Sequence, residues 1–109
     1  MIANLTGTPS RLCQKAIGTT STTLYTAQPD GRTAILDIMV INTSSAPINL
    51  SMYVGSASTA NAFGFYSTSI PSHSSIQYYG FQILNASESL IATGSAAGLS
   101  TTISGIERV

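Results

Sequence analysis

From Ile48 to Gly55 the chain alternates residue by residue, with Ile48, Leu50, Met52 and Val54 on one side and Asn49, Ser51 and Tyr53 on the other. A period of two is what a β-strand with one buried face requires, whereas a helix needs a period near 3.6. No segment presents three turns of helical apolar spacing. The chain is therefore read as all-β.

Turn residues divide the rest into short runs of the same kind. Pro29-Asp30-Gly31, Thr43 to Pro47, Pro71-Ser72-His73-Ser74 and Asn85-Ala86-Ser87-Glu88 supply fixed φ, positive φ or side-chain-to-backbone bonds where strands must reverse. Between them the spacing predicts strands over Thr22–Ala27, Arg32–Asn42, Ile48–Gly55, Ser75–Tyr79, Phe81–Leu84, Ser89–Gly94 and Ser100–Val109, with a small-residue loop, Ser56–Asn61, leading to an aromatic segment, Phe63–Tyr66. About seven or eight strands at such spacing favour one antiparallel β-sandwich or jelly roll. Met1 to Thr20 shows no sustained period, so it is expected to be an extended N-terminal arm beside a sandwich of residues 21–109. Leu5, Arg11, Leu12, Lys15 and Ile17 are that arm's candidate anchors on a partner.

Composition narrows what the sandwich does. About three residues in ten are Ser or Thr, and only four acidic and four basic residues are present, with one histidine and one cysteine. Hydrolysis, group transfer and metal chemistry need several acids, bases or soft ligands converging on one pocket, which this inventory scarcely supplies. His73 lies in a polar turn with no carboxylate near it in sequence, and no GxSxG elbow activates a serine. Cys13 has no partner within the chain, so an idle, buried thiol is expected. No catalytic residue, metal or cofactor is assigned. A formal net charge of zero with few cations argues against nucleic acid as a partner, and it suits a subunit packed among copies of itself. No run approaches the roughly 20 apolar residues of a membrane span, and no signal segment is recognised, so a soluble protein assembled in a cytoplasm is expected.

The strand from Arg32 to Asn42 breaks the one-face pattern. Ala34, Leu36, Ile38 and Val40 form one apolar row, and the opposite row, Ile35, Asp37, Met39 and Ile41, is apolar as well except for Asp37. Either the arm or a loop covers the outer row, or that row is a self-interface in a homo-oligomer. Five tyrosines and three phenylalanines are present, and a small lectin-like module stacking its rings on sugars is the reading from another class.

Certain runs carry a resemblance. Thr23-Leu24-Tyr25-Thr26, then a Pro/Gly turn, then Thr33-Ala34-Ile35-Leu36-Asp37-Ile38-Met39-Val40-Ile41-Asn42-Thr43 and Ile48-Asn49-Leu50-Ser51-Met52-Tyr53-Val54 form the first part. Glu88-Ser89-Leu90-Ile91-Ala92 and Leu99-Ser100-Thr101-Thr102-Ile103-Ser104-Gly105-Ile106-Glu107 form the second. Over residues 21–109 the chain resembles small structural proteins of tailed bacteriophages. The resemblance implies a non-enzymatic virion component with a β-sandwich fold, often trimeric, that decorates or cements the capsid or belongs to the tail, neck or fibres. Its partners would be the major capsid protein or other virion proteins.

Overall fold

The computed structural model describes residues 8–107. The described residues form eight strands: β1 (Ser10–Ile17), β2 (Thr22–Thr26), β3 (Thr33–Asn42), β4 (Ile48–Val54), β5 (Thr68–Ile70), β6 (Ser75–Leu84), β7 (Ser89–Gly94) and β8 (Leu99–Glu107). A 3-10 turn, Thr59–Asn61, interrupts the loop after β4. The strands form two antiparallel sheets of four, in the orders β1-β8-β3-β6 and β2-β7-β4-β5. This interleaved order, with the first strand beside the last, is that of a jelly roll.

Most strand limits agree with the turn chemistry to within two residues. Two differ. Ser75–Leu84 is one strand that runs through Gly80, where two short strands are expected, because antiparallel pairing with β3 continues on both sides of the glycine. The arm is the larger correction: Ser10–Ile17 is an integral strand, paired along β8 from Ser10 opposite Gly105 to Ile17 opposite Leu99. The backbone groups of β8 on that flank need partners, and β1 supplies them.

The core lies between the sheets. Ile17, Ile35, Ile38, Val40, Leu84, Leu99 and Ile103 from the first sheet meet Leu24, Ile48, Leu50, Met52, Ile70, Leu90 and Ala92 from the second. Each buried Ile or Leu contributes about 1.5–3 kcal/mol on leaving water. Ile48, Leu50 and Met52 are buried while Asn49 is exposed, so the alternation of β4 marks its inner face as expected.

The first sheet carries a kink that crosses its strands. Against β8, β1 holds an extra residue at Leu12 and β3 one at Leu36; β6 in turn holds one more residue than β3 at the same level. Bulges of this kind bend a sheet and change the facing of the strand that carries them. Gly105 sits at the crossing, where a Cβ would stand 2.1 Å from the Ala34 carbonyl oxygen, so no side chain fits there.

Candidate assembly surfaces

The outer face of the first sheet contains the row expected to form a self-interface. The bulge at Leu36 inverts the facing of β3: before it Ile35 points into the core, and after it Ile38 and Val40 do. The inner row thus passes from Ile35 to Ile38 and Val40, changing phase at mid-strand, and leaves Met39 and Ile41 on the outer face. Ile35 is fully buried and is withdrawn as an interface residue. Asp37 and Met39 are half-buried, and Ile41 is exposed. Their cross-strand neighbours are polar or amphipathic: Tyr79 and Ser104 flank Asp37, Gln77 and Thr102 flank Met39, and Ser75 and Ser100 flank Ile41. The Asp37 carboxylate accepts a hydrogen bond from Gln77 Nε2 at 3.1 Å. Asp37, Met39 and Ile41 lie together on this face, as the sequence pattern expects, but in a mixed surface.

The arm candidates divide in a similar way. Ile17 is buried in the core, Leu12 is half-buried against it, and neither is free to anchor a partner. Lys15 is exposed and donates from Nζ to the Thr23 carbonyl at 2.8 Å, linking β1 of one sheet to β2 of the other across the open side of the sandwich. Arg11 is exposed. Leu5 lies outside the described residues.

Four strands end the sheets, and they are unequally protected. β5 has three residues, and β2 has five with a register shift at Leu24. β1 carries Arg11 and Lys15, the latter aimed at the opposite sheet. β6 has ten residues, no charge and no proline, and it exposes Tyr79 to 73% and Phe81 to 41%. Short strands, bulges and inward charges are the usual means of blocking edge pairing, and β6 lacks all but the bulge.

Elsewhere the chemistry is structural. At one end of the sandwich Tyr25 hydroxyl donates to Glu107 Oε2, and Thr33 Oγ1 donates to Gln28 Oε1 at 3.1 Å. Gln28 Nε2 is buried without a partner there. His73 occupies a turn with φ of 53° and is exposed. Cys13 is buried, and that burial pushes its thiol pKa up, with the Lys15 ammonium opposing. Among the described residues no three of His, Cys, Asp and Glu come together as metal ligands would, and no helix is long and apolar enough to cross a membrane.

The aromatic set also splits. Tyr25, Phe63, Phe65 and Tyr78 pack against the core, Phe63 and Tyr78 meeting edge to face at 5.0 Å between centroids, while Tyr66, Tyr79 and Phe81 are exposed.

No family model matches the chain, and no curated protein matches it in sequence. Its backbone is similar to a solved chain of Bacillus endospore appendages, which form a family of disulfide-linked pili, with a TM-score of 0.54 and 14% identity over 100% of this chain and 95% of that one. At that identity the likeness concerns the fold. It adds a structural protein, built on the same sandwich, to the comparison.

What sequence reasoning missed is the β6 edge. Tyr79 and Phe81 were visible as aromatics, but which strand ends a sheet depends on pairing order. The available signal was a ten-residue run without charge or proline, Ser75–Leu84, in a chain that places Lys or Arg on β1.

Proposed function

We propose that this chain is a non-enzymatic structural subunit of a tailed-bacteriophage virion, present in several copies and attached to the outside of the capsid as a decoration protein. The observation that carries the reading is the build of the first sheet: a neutral sandwich ends in a long uncharged edge, with exposed Tyr79, Phe81 and Ile41 beside it. The resemblance of residues 21–109 supplies the setting, a homo-oligomer, trimeric by that resemblance, on the major capsid protein. Decoration acts by bridging, since contacts spread over several shell subunits must all break before the shell opens, and linked copies gain avidity. The test is co-sedimentation with capsids that lack the component, with separated tails as the comparison. Binding to capsids is expected; binding to tails alone moves the protein to the tail, and binding to neither overturns the reading.

A second reading, a filament subunit, is favoured by the sandwich shared with the pilus protein. Disulfide linkage would not propagate such a filament here. The sequence has one cysteine, which can join copies only in pairs, and Cys13 is buried. Filaments seen by electron microscopy in purified protein, stable to reductant, would favour this reading.

A further inference from the structure

We infer that β6 is a self-pairing edge, at which two copies join antiparallel about a two-fold axis through Gly80. The inference rests on the self-assembling part of the reading above and names its contact.

The edges are unequal, as their residues show. β1 guards its edge with Arg11 and Lys15, β2 and β5 are short, and β6 alone offers ten residues free of charge and proline. An open strand of that length presents a row of backbone donors and acceptors that another strand can use. A two-fold axis sets a strand against itself, so a charge close to the axis meets a like charge. The sequence Ser75 to Leu84 carries none, which makes a second copy of β6 the occupant it fits best.

Side chains fix the register. Tyr78 packs inward, and Gln82 pairs with core residue Ile35, so Tyr79 and Phe81 stand on the outer face, one on each side of Gly80. With Gly80 opposite Gly80 of the second copy, each Tyr79 lies opposite a Phe81, and the two most exposed rings of the strand become two cross-strand aromatic pairs. Gly80 leaves the axis clear. A Cβ there would stand 2.6 Å from the Tyr78 hydroxyl and 2.8 Å from its Cζ, so any side chain at this position would have to displace the tip of that tyrosine.

The contact is small. Ten residues at about 3.3 Å each, across a layer about 10 Å thick, bury on the order of 700 Å² in total, below the roughly 1,200 Å² of a stable free dimer. It is therefore reversible in solution and becomes persistent when other contacts hold the copies close, as on a shell. A trimer closed by its own three-fold contact would be linked to the next through this two-fold.

Disulfide trapping tests the register directly. Opposed residues in an antiparallel pair have Cα atoms about 4.5–5.5 Å apart, within disulfide reach. Tyr79→Cys mixed with Phe81→Cys should cross-link at least tenfold faster than either variant alone, with buried Cys13 as the inert internal comparison. In sedimentation at high protein concentration, the smallest wild-type species should double in mass. Tyr79→Lys/Phe81→Lys and Tyr79→Glu/Phe81→Glu should each weaken the doubling at least tenfold, and a 1:1 mixture should restore it. Both sites are exposed, and circular dichroism verifies that the sandwich is retained. Equal cross-linking in all samples, or no restoration on mixing, would overturn the two-fold. Capsid co-sedimentation of the wild-type protein separates the two readings: binding to capsids by protein that shows neither the doubled species nor the Tyr79–Phe81 cross-link removes this inference and leaves the virion assignment standing.

Discussion

Asn42 is the residue whose removal the structure penalises most plainly among the polar ones. It is fully buried at the end of β3, with Nδ2 donating to the Ala46 carbonyl at 2.8 Å and the Ile70 carbonyl at 3.0 Å. Oδ1 accepts from Ser44 N at 2.9 Å and Ser44 Oγ at 2.7 Å. One side chain thus holds the β3–β4 turn and the end of β5 together. Asn42→Ala leaves several buried groups unpaired and is expected to cost about 2–4 kcal/mol. Asn49→Ala, at an exposed position on β4, should stay within about 0.5 kcal/mol. Urea denaturation of both variants checks the contrast. The sequence marked Asn42 only as the close of a strand and the start of a polar turn, because the Ile70 carbonyl it binds is 28 residues away. Ile35 was misplaced for a related reason: strict alternation assumes a strand without a bulge, and one added residue exchanges the faces.

At the scale of elements, β1 decides how much of the chain the sandwich needs. As an arm, residues 1–20 would be dispensable for folding. Instead β1, Ser10–Ile17, carries Cys13 and Ile17 in the core and covers one flank of β8. Deleting residues 1–20 is expected to lower the melting temperature sharply or to yield aggregated protein, since β8 becomes a bare edge and the core loses two members. Deletion ending at Pro9 keeps every residue of β1 and provides the comparison, with thermal unfolding followed by circular dichroism. The arm reading failed because an edge strand has little periodic signal: Arg11, Gln14, Lys15 and Ala16 are exposed, and the bulge at Leu12 breaks the alternation. β4 was legible because it lies inside its sheet, flanked by β7 and β5, with one face wholly apolar.

For the whole molecule, fold class could be read from alternation and turns, but strand order could not, since periodicity says which face is buried and nothing about which strand is neighbour. The order that results is almost entirely non-local, with β1 on β8, β2 on β7 and β3 on β6 and β8. Loop closure must precede most contacts, so refolding is expected on the millisecond-to-second scale, well slower than helical bundles of this size. Stopped-flow tyrosine fluorescence can follow it, since the chain has five tyrosines and no tryptophan. The place of β8 between β1 and β3 has a consequence for how copies are made. While the ribosome is still adding Leu99–Glu107, β1 has no strand to pair with and β3 lacks one flank. A nascent chain interrupted before Leu99 cannot close the first sheet, so truncated copies are expected to stay open to proteases.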